Sequence, residues 1–292
     1  MFQSCLICTD FSDGLERLVN FVPDLATGGL KQIVFLHSVP INEDGGIPRI
    51  DKEKIKEAQN YLSKALENVP AGVEVHVEVP SGRPTDTIVQ TLDKYQCDVI
   101  LTGTPIRSLL QEKLFGSTTQ GLAKLVATPL MSLRPELITT YTREELALRC
   151  QHLWRYLLIP YNDSESAHYL LEQIKHQIQQ QPAHSLKQLM LCWIIDDSGS
   201  RRITIDYLLK EAQEKLDSVK QELEQLGLEV KAIVKQGSPL NEVLDLAVHE
   251  DISSIAIASV SSGNIFEWTA PSFANEILRR SWFPVLYFSP KG

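Results

Sequence analysis

Two segments near the start and the middle of the first half carry residue types that bind polar or anionic ligands. Asp10 follows an apolar run at residues 5–8, and Gly103 follows another at residues 99–102. A carboxylate accepts hydrogen bonds, and a glycine lets the backbone approach a ligand closely. Asp10 can also cap the following helix, a role equally open to Ser12 and Asp13. The pairing with Gly103 favours the binding role.

A third segment adds a candidate phosphate site. Gly116, Ser117 and Thr118 open a predicted helix, whose amino terminus presents free N–H groups and a partial positive charge. Residues 117–120, Ser-Thr-Thr-Gln, also fit a capping box, so Ser117 either caps its helix or donates to a phosphate. The two roles compete for the same N–H groups, and the local sequence favours the cap at least as much as the phosphate.

Other reactive side chains form no recognisable catalytic or metal-binding set. Cys5 and Cys8 lie in a predicted strand, where residues three apart point to opposite faces, so we interpret them as strand residues rather than a redox or zinc pair. His37 lies near the predicted cleft, and packing is the first interpretation, with ligand sensing or catalysis as the alternative. The sequence therefore predicts no catalytic residue and no metal site.

The chain contains an internal repeat. Gly237 lies 155 positions after Gly82, and the same offset relates Pro239 to Pro84 and Pro284 to Pro129. Unrelated glycines and prolines would not keep one register, so the two halves are copies of one unit. The first predicted strands of the two copies correspond at an offset of 152, which places Asn162 at the position of Asp10.

Each copy alternates short apolar runs with patterns of helical period. Near-continuous apolar strands that alternate with helices predict a parallel sheet covered on both faces. We therefore predict an α/β chain of two repeated, doubly wound parallel-sheet domains. The predicted strands after the first are 33–39, 73–79, 99–102 and 130–133 in one half, and 189–195, 228–234, 255–258 and 285–288 in the other.

The domain organisation follows from the repeat. We predict a first domain at 1–135, a linker helix within 136–153 and a second domain at 154–292. Thr142 and Glu145 form a capping-box pattern, so the linker helix should begin near Arg143. Each half ends in an apolar strand with an exposed edge, and we expect these two strands to pair, which would make the chain an intramolecular pseudo-dimer.

Composition narrows the class of partner. The net charge of −9 and the isoelectric point near 5.3 argue against nucleic-acid binding, because no basic stripe offsets the acidity. The sequence shows no signal-peptide pattern and no apolar run long enough for a membrane helix. Five scattered cysteines fit a reducing compartment, so we expect a cytoplasmic protein.

The motifs together resemble the universal stress protein family. Its nucleotide signature reads glycine, two residues, glycine, nine residues, glycine, then serine or threonine. Gly103, Gly116 and Ser117 match this spacing, whereas Ile106 replaces the second glycine. The segment 9–12, Thr-Asp-Phe-Ser, is similar to the end of the family's first strand, with Cys8 where proline is usual. The resemblance covers nearly the whole chain, twice, and implies adenine nucleotide α-hydrolase-like domains in tandem.

The resemblance also implies a binding site for ATP or a related adenine nucleotide, with Mg²⁺ as a candidate companion. By position, Asp10 would accept from the amino edge of adenine, and Val39 would contact the base through its backbone. Ile106 would narrow the phosphate path, while Arg107 would add positive charge or face solvent. The residues that would surround ribose and phosphates are Gly103, Gly116, Ser117 and Thr118.

The second half departs further from the family signature. Asn162 replaces the aspartate, and Ala258, Ser261 and Pro271 stand at the three glycine positions, with Ser272 retained. Proline has no N–H to donate to a phosphate. We expect this half to bind nucleotide weakly or not at all and to serve as a built-in dimer partner. Its hydroxyl-rich segment 259–262 leaves open a different ligand.

Three hypotheses follow. The first is a stress-associated nucleotide-binding module that holds its ligand in the amino-terminal half and acts through an unidentified protein partner. The second is a nucleotide-free scaffold, and the third is a slow nucleotide hydrolase. A homodimer of tandem chains is compatible with each of them.

Overall fold

The computed structural model describes residues 1–41, 49–103, 121–122, 125–180, 185–196, 202–259 and 273–289. Chain contacts divide it into two compact units, one of residues 2–151 and one of residues 152–288. Within the described part, no helix is both long enough and apolar enough to cross a membrane.

The first unit contains a parallel sheet in the order β3-β2-β1-β4-β5. The strand order reverses between β1 and β4, so the carboxyl ends of these two strands flank the crevice where open α/β sheets bind ligands. The strands are β1 (Ser4–Cys8), β2 (Gln32–Leu36), β3 (Glu74–Glu78), β4 (Val99–Gly103) and β5 (Leu130–Leu133).

The second unit repeats this arrangement in the order β8-β7-β6-β9-β10, again with parallel pairs. The predicted class of two repeated α/β parallel-sheet domains is therefore confirmed. The pairing of the two closing strands stays a prediction. The strands are β6 (Tyr156–Pro160), β7 (Gln188–Ile195), β8 (Glu229–Gln236), β9 (Ser254–Ala258) and β10 (Val285–Phe288).

Helices connect the strands in both units. In the first unit, 3₁₀ turns occupy Leu15–Phe21 and Ser63–Leu66, and α-helices occupy Val22–Thr27, Lys52–Leu62, Pro84–Tyr95, Pro135–Ile138 and Arg143–His152. The second unit has α-helices at Glu165–Gln180, Arg202–Glu224, Pro239–His249 and Phe273–Arg280.

The central strands form the core of each unit. Leu6 and Ile7 are adjacent in β1 and both are fully buried, as are Ile100 and Leu101 in β4. Adjacent residues of a strand point to opposite faces, so both faces of the sheet are covered. This burial explains why the strands appear in the sequence as continuous apolar runs rather than as alternating patterns.

A helix occupies Arg143–His152 and begins where the Thr142 and Glu145 pattern predicted it. The Glu145 N–H donates to Thr142 Oγ1 at 3.2 Å, and the Glu145 carboxylate accepts from the Tyr141 N–H at 3.3 Å. The first bond satisfies an N–H group of the first helical turn, whereas the second reaches the residue before the cap and not the Thr142 N–H of a complete capping box.

The second strand is shorter than predicted. We expected it to reach Val39, but β2 ends at Leu36 and Val39 forms only an isolated parallel bridge with Ser81. Pro80, on the neighbouring segment, has no N–H to continue the ladder, although its carbonyl accepts from the Val39 N–H at 2.9 Å. Val39 thus remains attached beside the sheet edge without being part of the strand.

Asp98 ties the start of β1 to the start of β4. Its Oδ2 accepts from the backbone N–H groups of Gln3 at 2.9 Å and Ser4 at 3.0 Å, and its own N–H donates to Ser4 Oγ. Because these bonds link residues far apart in the chain, they fix the register of the two strands that flank the crevice.

Replacing this anchor should destabilise the first unit. We expect Asp98→Ala to lower the free energy of unfolding by about 2 kcal/mol, since it leaves two N–H groups without their charged acceptor. Urea unfolding followed by far-ultraviolet circular dichroism measures the change. Asp93→Asn, at an exposed position of the helix Pro84–Tyr95, serves as the control. Equal midpoints for the two variants would contradict the anchoring role.

Candidate functional site

The parallel register brings three predicted segments to one edge of the first sheet. Cys8, the last residue of β1, pairs with Leu36 on one side and Thr102 on the other. Asp10 therefore follows the end of β1, Gly103 is the last residue of the adjacent β4, and the Val39 segment continues from β2 at the same edge. The remaining predicted site residues, Ile106, Arg107, Gly116, Ser117 and Thr118, lie outside the described part of the chain.

Asp10 is exposed and closes a local turn. Its Oδ1 accepts from the Ser12 N–H at 2.8 Å and from the Ser12 hydroxyl at 2.6 Å. The sequence left open that Asp10 caps the following helix, but its bonds go to Ser12, and the N–H of Leu15 at the start of that helix donates to Asp13 instead. Both bonds from Ser12 go to one oxygen of Asp10, so Oδ2 is the atom that a ligand at this edge would meet.

Asp13 is the buried carboxyl group of the edge, with 5% of its surface exposed. It accepts from the Thr9 hydroxyl at 2.9 Å and from the Leu15 N–H at 3.0 Å. Burial raises the pKa of Asp13 to about 6, although these two hydrogen bonds act in the opposite direction. The sequence indicates Asp13 only as a helix cap, because residue spacing alone does not reveal that its side chain is buried.

The Asp13 side chain packs against Gly103 and leaves no room for a larger residue at this position. A Cβ added at Gly103 would lie 2.3 Å from the Asp13 Cβ and 2.6 Å from its Cγ, far inside van der Waals contact. The close approach that a glycine permits is therefore already used by a side chain of the same unit. This packing explains the glycine at this position without a ligand.

Val39 has both backbone groups engaged. Its N–H donates to the Pro80 carbonyl at 2.9 Å, and its carbonyl accepts from the Gly82 N–H at 3.0 Å. A carbonyl oxygen has a second lone pair, so it can still accept from a ligand. The N–H cannot donate to a base without giving up its bond to Pro80.

A small aromatic cluster adjoins these residues. The Phe11 ring meets the His37 ring edge-on at a centroid distance of 4.6 Å and the Tyr61 ring at 5.5 Å. His37 Nδ1 lies 2.9 Å from the Thr9 carbonyl, which can only accept, so Nδ1 carries the proton. Nε2 is then the acceptor nitrogen when the ring is neutral. Phe11 has φ +61°, a conformation that bulky side chains rarely adopt.

The second unit repeats the turn with different side chains. Asp163, which corresponds to Phe11 at the offset of 152, has φ +57°. Its carboxylate accepts from Lys215 at 2.8 Å and from the Tyr161 hydroxyl at 3.2 Å, and it lies 2.9 Å from His168 Nε2. The backbone turn is shared, and the second unit adds an ion-paired network to aromatic contacts of Tyr161 with His168 at 5.8 Å and with Trp193 at 5.6 Å.

The carboxyl edge of the second sheet also contains a pocket of about 270 Å³. Asn162 and Ala258, which replace the aspartate and the first glycine of the family signature, both line it. The side chains around them are small, hydroxylated or apolar: Ser164, Ser166, Ala167, Leu170, Ile257, Ser259, Phe273 and Ala274, with Pro160. Ser261, Pro271 and Ser272 lie outside the described residues. Weak or absent nucleotide binding by this unit stays a prediction.

Cys5 and Cys8 lie in β1, in agreement with the interpretation as strand residues. Neither forms a disulfide, and burial raises the pKa of both thiols. Among the residues that the structure describes, no three His, Cys, Asp or Glu side chains come together as a metal site would require.

The raised pKa of Asp13 predicts a pH-dependent stability. The folded-state pKa of about 6 exceeds the ordinary value of 3.8, so folding favours the protonated form. The free energy of unfolding should therefore fall as pH rises from about 4 to about 6, by about 1–3 kcal/mol at most. Asp13→Asn should remove this contribution, matching the wild type near pH 4 and exceeding it at pH 7. Glu57→Gln, on an exposed helix face, is the control; parallel pH profiles for wild type and Asp13→Asn would refute the assignment.

The contact of Gly103 with Asp13 predicts a strong, specific coupling. Gly103→Ala should cost about 2–3 kcal/mol of unfolding free energy, because the new methyl group overlaps the Asp13 side chain. In an Asp13→Gly background the same substitution should cost much less, since the overlapping atoms are gone. Chemical denaturation of the four proteins gives this double-mutant cycle, and additive effects would show that the contact is not responsible.

Comparison with known proteins identifies the family. The model of the universal stress protein family matches residues 1–134 and 154–288. A universal stress protein of Methanocaldococcus jannaschii is 32% identical over 85 residues, which are 29% of this chain and about half, 52%, of that protein. The crystal structure of a universal stress protein from Archaeoglobus fulgidus superposes with a TM-score of 0.66 at 18% identity, covering 98% of both chains. A putative universal stress protein from Pseudomonas aeruginosa superposes with a TM-score of 0.59 at 15% identity, covering 99% of this chain and 94% of that one. Two family matches in one chain, together with two parallel sheets of the same strand order, show that this protein belongs to the universal stress protein family as a tandem member.

Proposed function

We propose that the first unit binds an adenine nucleotide at the carboxyl edge of its sheet, and that occupancy alters a surface used by a protein partner. The observation that carries this proposal is the register of β1 with β2 and β4, which gathers Asp10, Val39 and Gly103 at the strand-order reversal. This is the place where ligands enter open parallel sheets.

The geometry narrows the contacts that a base could make. Asp10 Oδ2 and the second lone pair of the Val39 carbonyl are both acceptors, so they suit the exocyclic amino group of adenine. The Phe11 and His37 rings, half-buried beside them, offer an apolar face to the base. The family signature assigns ribose and phosphates to Gly116, Ser117 and Thr118, with Mg²⁺ as a companion of a triphosphate.

A titration of ATP against the purified full-length protein tests the proposal. We expect saturable binding, weakened about 10-fold or more by Asp10→Ala, which removes a charged acceptor, and by Gly116→Val, which crowds the phosphate path. Asn162→Ala, at the corresponding position of the second unit, is the matched control and should leave the affinity unchanged. Absence of saturation at millimolar ATP would exclude nucleotide binding by this protein.

A nucleotide-free scaffold is the second candidate. It is favoured by a specific observation, namely that Asp10, Val39 and Gly103 each already have an intramolecular role: a turn, a paired segment and a contact with Asp13. Mass spectrometry of small molecules released from freshly purified protein separates the two candidates, because a bound adenine nucleotide would contradict the scaffold. The third hypothesis, slow hydrolysis, requires phosphate release above background with Mg²⁺ or Mn²⁺ present.

A further inference from the structure

A second pocket lies at the opposite edge of the second sheet, where β6, β7 and β8 begin. Its volume is about 370 Å³. Its walls are polar and charged, unlike those of the pocket at the carboxyl edge. The lining residues are His152, Arg155, Tyr156, Gln188, Lys231, Glu250, Asp251 and Ser253.

Tyr156 presents a buried donor without an acceptor. Only 7% of the residue is exposed, and its hydroxyl proton has no acceptor in the described part of the chain, although the Lys231 ammonium interacts with the hydroxyl oxygen. A buried hydroxyl whose proton has no acceptor is destabilising, so such groups usually have an unseen acceptor or a function. Burial raises the pKa of Tyr156, although nearby Lys231 opposes the rise, and the hydroxyl therefore keeps its proton at neutral pH.

Of the described charged side chains around Tyr156, one pair forms a salt bridge and two groups do not. Lys231 Nζ pairs with the Glu250 carboxylate at 2.9 Å, which neutralises both. Arg155 is exposed, and its guanidinium forms no ion pair with any described residue. Asp251 is also exposed, forms no such pair, and has φ +53°. Among the described residues, the pocket is thus lined by a cation and an anion that form no ion pair, Arg155 and Asp251, and by the buried Tyr156 hydroxyl.

The same place in the first repeat shows what the second has changed. The Lys31 and Gln32 N–H groups donate to the Gln3 carbonyl, just as the Lys187 and Gln188 N–H groups donate to the Arg155 carbonyl. Gln3 and Arg155 are therefore equivalent, and this equivalence does not depend on sequence alignment.

In the first repeat, hydrogen bonds with Asp98 connect these positions to the start of β4. Asp98 Oδ2 accepts from the N–H groups of Gln3 and Ser4, and the Asp98 N–H donates to Ser4 Oγ. In the second repeat Ser253 stands at the place of Asp98, and Tyr156 at the place of Ser4. Ser253 Oγ still accepts from the Tyr156 N–H at 3.3 Å, so an uncharged acceptor replaces the carboxylate, while a phenol and a guanidinium replace the side chains of Ser4 and Gln3.

We propose that this pocket binds a small ligand with a single oxyanion group, a carboxylate or a phosphate. Arg155 supplies the charged donor and the Tyr156 hydroxyl supplies the buried one, a combination suited to planar or tetrahedral oxyanions. Asp251 repels additional negative charge, which disfavours polyanions such as nucleoside triphosphates. The site is independent of the proposed nucleotide site, which lies in the other unit.

Calorimetric titration of the full-length protein with inorganic phosphate and, separately, with acetate tests this site at constant ionic strength. We expect saturable uptake of at least one probe, and the comparison of the two distinguishes a phosphate site from a carboxylate site. Arg155→Gln should weaken binding on the order of 10-fold and Tyr156→Phe several-fold. Asp251→Asn should tighten binding several-fold, and asparagine tolerates the left-handed backbone at this position. Lys210→Gln, at a side chain that is 80% exposed on the helix Arg202–Glu224, removes the same charge and should have no effect.

Thermal unfolding separates binding from a purely structural role of Tyr156. Without added anion, Tyr156→Phe should unfold at the same or a higher temperature than the wild type, because it removes a buried hydroxyl whose proton has no acceptor. With saturating probe, the wild type should gain stability and Tyr156→Phe should gain less. Lack of saturable binding of both probes, or equal affinities for Arg155→Gln and Lys210→Gln, would overturn the proposal.

Discussion

The contact between Gly103 and the side chain of Asp13 organises the candidate site of the first unit. It joins the end of β4 to the turn after β1, the two strands between which the strand order reverses. Because Asp13 also accepts from Thr9 and Leu15, the contact holds the whole turn in place. Asp10 and Phe11 take their positions from this turn, and His37, directly after β2, bonds to the Thr9 carbonyl at its start, so this packing contact supports much of the edge.

The two repeats preserve that turn while exchanging its chemistry. Phe11 and Asp163 occupy the same left-handed backbone position, yet one contributes to an aromatic cluster and the other to an ion-paired network. Backbone geometry is set by strand pairing and by the start of the next helix, both of which survive in each unit. The side chains projecting from that backbone are free to diverge, which is how one fold supports two different edges.

Divergence at the opposite edge follows the same logic. In the first unit the Asp98 carboxylate joins the starts of β1 and β4, and in the second unit the Ser253 hydroxyl takes its place with a single bond to the Tyr156 N–H. The uncharged acceptor leaves Arg155 and Tyr156 as the polar side chains at this edge. A tandem chain can therefore develop a new pocket in one copy while the other copy keeps the original anchoring.

The sequence by itself determined the doubled architecture, because burial of both sheet faces demands continuous apolar strands and because the constant offset of 155 cannot arise from unrelated segments. It also determined the helix cap at Thr142, since helix starts depend on local hydrogen bonds between near neighbours. Only the tertiary structure revealed that Gly103 packs on Asp13, that β2 stops before Val39 and that Tyr156 is buried beside Arg155. Each of these involves residues distant in the chain or a degree of burial that neighbours in sequence do not encode. Spacing predicts which residues reach an edge, whereas packing decides which of them remain available to a ligand.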